Sequence, residues 1–228
     1  MWPFRSTLRS YGNKAGLVQR LAVALVCCLS GAFSAIAAEP VKIVVLGDSL
    51  SAGYGLPAGA AFPERLAAAL KAKGIAVTIA NAGVSGDTTS GGLARLDWSV
   101  PDGTDAVIVE LGANDALRGV DPKVTRNALD TIIGKLKQRR ISVLLAGMRA
   151  PRNMGPDYVR AFDAIYPSLA KDHGVPLYPF FLDGVATDPK LNQADGIHPT
   201  AAGVDAIVAR IMPDVEALVA HVRTARGS

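Results

Sequence analysis

The sequence predicts a three-layer α/β/α domain on a five-stranded parallel sheet, and three observations carry that expectation. Short apolar, β-branched runs alternate with longer segments of helical period, the pattern that parallel strands and crossover helices produce. Several runs have little polar interruption, as strands covered on both faces require. Small and polar residues collect just after the runs, at the edge where an open parallel sheet binds ligands.

In chain order, the first strand is expected over residues 41–46 and a helix over 63–73. A second strand follows at 75–80 and a third at 106–111. The next helix, 122–139, opens on Asp121-Pro122, an N-cap acid followed by proline at the first helical position. A strand at 141–146 leads to a helix at 157–173, with Gly174 just past its end as a C-cap. A last strand at 175–178 and a helix at 200–222 complete the pattern, and no repeat or linker interrupts it.

The 228 residues are 50% hydrophobic and 19% charged, which excludes disorder and a disulfide-dense scaffold. The net charge of +4 comes from the first 38 residues, where Arg5, Arg9, Lys14 and Arg20 face no acid. The remainder is neutral, so a nucleic-acid role has no compositional support. A basic stretch over 1–20, an apolar stretch over 21–33 and the small residues Ala35-Ile36-Ala37-Ala38 form a secretory signal peptide. Cleavage is expected after Ala37 or Ala38, leaving residues 39–228 as one exported domain, periplasmic or secreted. An uncleaved anchor is the alternative reading of residues 21–38. Cys27 and Cys28 both lie in this segment, so the domain folds without a disulfide, and no second stretch reaches the ~18 apolar residues of a membrane span.

Four loops gather the chemistry: Gly47-Asp48-Ser49-Leu50-Ser51, residues 81–88, Gly112-Ala113-Asn114-Asp115, and residues 179–199. There are three histidines to serve as a base near neutral pH. His173 ends a helix and His221 lies near the C-terminus, both reading as surface residues. His198 remains, with Asp195 three residues earlier, a spacing that lets a carboxylate fix the imidazole tautomer. Ser49, at a sharp strand-to-helix turn, would be the nucleophile that such a base activates; it equally suits a helix N-cap. The N–H groups of Ser49 and Gly86 and the Asn114 amide could converge as an oxyanion site. Taken singly, Asn114 also reads as a turn former and Gly86 as a positive-φ residue.

Other chemistries fit less well. Ser51 occupies the last glycine position of G-x-S-x-G, and no Walker or G-x-G-x-x-G sequence opens the first helix. Asp48, Asp195 and His198 would make a thin metal site, with one usable histidine and no cysteine.

The blocks G-D-S-L around Ser49, V-S-G-D-T around Gly86, G-A-N-D around Asn114 and D-G-I-H ending at His198 resemble those of the GDSL or SGNH hydrolase family. Their order and spacing fit from Val41 to about residue 215. Within that family, L-G-D-S-L-S-A-G-Y, N-A-G-V-S-G-D-T, V-E-L-G-A-N-D-A-L-R-G and A-I-Y-P-S-L-A-K are similar to the bacterial periplasmic acyl-CoA thioesterase, lysophospholipase and arylesterase group. The resemblance implies a flavodoxin-like hydrolase fold and no metal or organic cofactor. It makes Ser49 the nucleophile, His198 the base, Asp195 its partner, and Ser49, Gly86 and Asn114 the oxyanion donors. Thioesters, aryl esters and lysophospholipids are the implied small-molecule substrates, and a monomer is favoured.

Residues 147–156 match a segment that forms a mobile flap over the acyl group in these relatives, which makes Arg149, Pro151 and Met154 candidate substrate-binding residues. Arg149 and Arg152 suit either an anionic head group or plain solvent exposure. Two rival readings stand beside the esterase: a carbohydrate O-acetylesterase of the same superfamily, and a non-catalytic acyl- or lipid-binding module.

Overall fold

Residues 41–47 read VKIVVLG, and all but Lys42 are buried, as an interior strand demands. In the computed structural model, which describes residues 1–3 and 39–227, this strand is β1 (Val41–Gly47). It lies between β2 (Val77–Gly83) and β3 (Ala106–Glu110), and β4 (Ser142–Ala146) and β5 (Leu177–Tyr178) extend the sheet beyond β3. All four pairings are parallel. The expected five-stranded parallel sheet is therefore present. The export-signal reading and both cysteines fall on residues 4–38, outside the described residues.

Helices cover both faces. On one, α2 (Phe62–Ala72) packs with α9 (Ala201–Gly227); on the other lie α3 (Thr89–Ala94), α6 (Pro122–Gln138) and α8 (Ile165–His173). Short helices α1 (Ser49–Ala52), α4 (Leu96–Ser99), α5 (Ala113–Leu117) and α7 (Pro156–Asp163) fill the connections. In α6 the Asp121 side chain accepts from the Lys123 N–H at 2.9 Å, and Ala128, Leu129, Ile132, Ile133 and Leu136 form its buried stripe. The long α9 keeps a buried stripe from Val204 to Val222 even though Pro213 removes one backbone donor. Among the described residues no helix is long and apolar enough to cross a membrane.

Three boundaries differ from expectation, each for a local reason. The second strand starts at Val77 because the Ile75 N–H closes the end of α2 on Leu70 O (3.0 Å), and it runs on through Asn81 to Gly83 beside β1. The helix expected over 157–173 breaks at Ala164, since Pro167 has no N–H and cannot continue the ladder of α7. Only residues 177–178 of the last strand pair, because the Val175 N–H is spent on Ala170 O at the end of α8.

The chain moves from β1 outward to β2, then returns past β1 to β3. The loops after β1 and β3 consequently leave in opposite directions and open a crevice at the carboxyl edge.

Candidate active site

Ser49 follows β1 at this crevice. Asp48, not Ser49, is the N-cap of α1: its Oδ1 accepts from the Leu50 N–H at 3.0 Å. Ser49 is the first helical residue, so its own N–H has no intrahelical acceptor and its hydroxyl stays free of the cap. A side chain at Gly47 would place Cβ 2.4 Å from Ser51 Oγ, so only glycine lets the turn close.

Gly86 has φ +84, a left-handed conformation that suits glycine. Arg118 Nη2 donates to its carbonyl at 2.8 Å and fixes that peptide. The loop is tied to β1 through Arg95, which is 7% exposed. Arg95 donates to Asp87 Oδ2 (2.6 Å), Ala82 O (2.8 Å), Ser99 Oγ (3.0 Å) and Gly47 O (2.8 Å).

Asn114 sits in α5, just after β3. Its Nδ2 donates one hydrogen to Asp48 Oδ2 at 3.1 Å, leaving the second amide hydrogen for a ligand. Burial pushes the Asp48 carboxyl up to about 6, while the Leu50 and Asn114 hydrogen bonds pull the other way. The neighbouring Asp115 is fully buried and accepts from the Thr89 N–H (2.8 Å), Thr89 Oγ1 (2.6 Å) and Thr125 Oγ1 (3.0 Å). These contacts tie the third loop to α3 and α6.

His198 reaches in from the long loop after β5. Its Nε2 is 2.9 Å from Ser49 Oγ, and its Nδ1 is 2.6 Å from Asp195 Oδ2. With Nδ1 carrying the proton to Asp195, Nε2 is free to accept the serine proton. Asp195 Oδ1 accepts from the Ile197 N–H (2.9 Å) and the His198 N–H (3.0 Å). The His198 N–H, its imidazole and the Ile197 N–H together pull the Asp195 carboxyl down to about 2. Asn192 Nδ2 closes the loop on itself at Val185 O (2.6 Å), and the Tyr54 ring lies 4.6 Å from the imidazole, centre to centre. Elsewhere His173 Nε2 lies 2.8 Å from Asp130 in α6, and His221 lies within α9.

A cavity of about 790 Å³ opens beside the triad, lined by Leu50, Ala113, Met148, Pro151, Phe180 and Ile197 among others. Arg149 and Pro151 line it, with the Arg149 guanidinium 4.8 Å over the Phe180 ring. Met154 is not among the lining residues; it lies against Gly119, and Met148 takes the apolar place in the wall. Arg152 is held by Asp163 at 2.8 Å, so it is an ion-paired rim residue, not a free solvent charge.

The structure thus brings Ser49, Asp195 and His198 into one hydrogen-bonded chain, with Gly86 and Asn114 on the adjoining loops. Sequence reasoning missed Arg95 and Asp115, and the holding role of Asp48, the buried charges that fasten those loops. Asp48 and Asp115 at least stand among small residues just past strand ends, whereas Arg95, between two short helices, carried no such signal. Asp48, weighed as a metal ligand, is instead taken up by Leu50 and Asn114.

A sequence profile of the GDSL-like lipase/acylhydrolase family matches residues 45–206. An arylesterase of Vibrio mimicus is 44% identical over 184 residues, covering 80% of this chain and 90% of the relative. The thioesterase 1/protease 1/lysophospholipase L1 of Escherichia coli is 42% identical over 190 residues, covering 83% and 89%. The crystal structure of AlinE4, an SGNH-hydrolase family esterase, is 48% identical and superposes with a TM-score of 0.67, covering 78% of this chain and 96% of the other.

Proposed function

The chain belongs to the GDSL-like lipase/acylhydrolase family, and from that premise we propose that it hydrolyses carboxylic esters and thioesters through an acyl-enzyme on Ser49. The observation that carries this reading is the hydrogen-bonded chain from Asp195 through His198 to Ser49; the apolar cavity beside it is lined by their chain neighbours Leu50 and Ile197. Ser49 Oγ attacks the acyl carbonyl as His198 Nε2 takes its proton; Asp195 holds the imidazole and stabilises the imidazolium. The developing oxyanion takes hydrogen bonds from the Ser49 N–H, the Gly86 N–H and the free hydrogen of Asn114 Nδ2. His198 then returns the proton to the leaving alcohol or thiol, and water attacks the acyl-enzyme by the same route.

The arylesterase and thioesterase/lysophospholipase names of the relatives support aryl esters, acyl thioesters and lysophospholipids as the substrate class. An acyl cavity of about 790 Å³ favours chains well beyond acetyl, which weighs against a carbohydrate O-acetylesterase. The composition of residues 1–38 supports export to the periplasm or beyond.

The test is hydrolysis of p-nitrophenyl esters from two to sixteen carbons by wild type and Ser49→Ala. The expected result is medium- or long-chain activity that falls by at least roughly 10⁴-fold in the variant. An acetyl-only profile would favour the O-acetylesterase, and turnover that survives Ser49→Ala would overturn the mechanism. Acyl binding without any serine-dependent turnover would favour a binding module.

A further inference from the structure

Glu110 is a buried acid that this mechanism leaves unused. It ends β3, has no exposed surface, and stands in register beside Gly47, the last residue of β1. Its Oε2 lies 2.6 Å from Ser51 Oγ, two residues beyond the nucleophile, and its carboxyl also takes the Asp48 N–H. Its Oε1 is buried with no hydrogen-bond partner among the described residues. A Cβ on Gly47 would stand 2.7 Å from Glu110 Oε2, so the glycine before the nucleophile turn makes room for this carboxyl. Four residues further along the same backbone is Asn114.

We propose that Glu110 is a positioning residue, which braces the Gly47–Ser51 turn against β3 and so sets Ser49 relative to Asn114. The inference rests on the roles given above to Ser49 and Asn114. Glu110 does this as a neutral acid. Asp48 is a second fully buried carboxyl beside it, and both Asp48 oxygens already accept hydrogen bonds, from Leu50 and Asn114, as an anion does. Among the described residues a second anion here would have no cation of its own, because Arg95 is committed to Asp87 and to the carbonyls of Gly47 and Ala82. The other titratable groups around the pair are Asp115 on α5 and Tyr166 on α8, whose hydroxyl donates to Leu111 O at 2.8 Å, with His198 acting on Asp48. Neither Asp115 nor Tyr166 supplies positive charge. Burial first, and the Asp48 charge second, push Glu110 well above the usual carboxylic range. An unpaired oxygen is also far less costly on a neutral carboxyl than on a buried carboxylate.

The test compares Glu110→Ala, Glu110→Gln and Ser51→Ala with wild type and Ser49→Ala, all in the full chain. Loss of the brace in Glu110→Ala should lower kcat by at least about tenfold with KM within about twofold, since a misplacement near 1 Å costs on that order or more. Glu110→Gln, neutral and of the same shape, should recover most of that loss, and Ser51→Ala should fall between them. At pH 8 the wild-type infrared spectrum should hold a protonated-carboxyl band that Glu110→Gln lacks, a signal that a purely structural role would not require.

Wild-type kcat in Glu110→Ala, or no such band, overturns the proposal. If Glu110→Ala does not fold, the band and Ser51→Ala decide, and unchanged kcat in Ser51→Ala is then the overturning result. Failure of the underlying reading is seen separately, as turnover that survives Ser49→Ala.

Discussion

Ser49, Gly86 and Asn114 stand just past strand ends in segments fastened by buried charge: Arg95 ties β1, β2 and the Gly86 loop together, and Asp48 and Asp115 have no exposed surface. His198 and Asp195 ride instead on the loop of residues 179–199, where the Asp195 side chain is 39% exposed and its backbone partners are at most three residues away. The contrast follows from what each half does. Oxyanion donors act on charge that exists only in the transition state, so their geometry has to be fixed before the reaction. A base and its partner need only a correct tautomer and a short proton path, which local hydrogen bonds provide.

That difference can be broken from either side. Asp195→Asn should lower kcat by roughly 10² to 10⁴ while leaving the melting temperature near that of wild type, because it disturbs only the local half. Ester kinetics with a thermal melt check both parts, and a large drop in melting temperature would show that the loop after β5 is structurally coupled after all. Asn114→Ala should cost on the order of 10² to 10³ in kcat with little change in KM; wild-type turnover would remove Asn114 from the oxyanion site.

In the buried half, Arg95→Ala should destabilise the fold by about 3 kcal/mol, as it strands Asp87 and two carbonyls. Arg95→Lys should rescue little of this in a denaturant titration, since an ammonium cannot fork to four acceptors.

The two carboxyls also have opposite pH signatures. Asp195, lowered to about 2, contributes stability above its unfolded value of about 4, which is lost as pH falls toward 2. Asp48, raised to about 6, binds its proton earlier in the folded state, so between pH 6 and 4 acidification favours folding. Asp48→Asn should therefore lack a gain that wild type shows between pH 6 and 4, read as the difference between their melting-temperature profiles. It should also cost about tenfold in kcat, because an amide cannot accept from both Leu50 and Asn114. The smallest effect is expected at the rim: Arg149→Ala should raise KM about threefold for anionic acyl thioesters and leave uncharged aryl esters unchanged.

Much of this protein is set by short-range information. The apolar runs gave the strand count, Asp121-Pro122 the start of α6, and Gly174 the end of α8. The Asp195–His198 pair was legible because its members are three positions apart. What the tertiary structure decided lies in contacts too distant for periodicity or spacing to report. Ser51 meets Glu110 across 59 residues, Arg95 meets Gly47 across 48, and Asn114 meets Asp48 across 66. The same holds for Met154, which faces Gly119 and not the cavity. A charged side chain carries no local mark of whether it will be buried; that depends on which distant backbone closes over it, and only the assembled sheet edge fixes that.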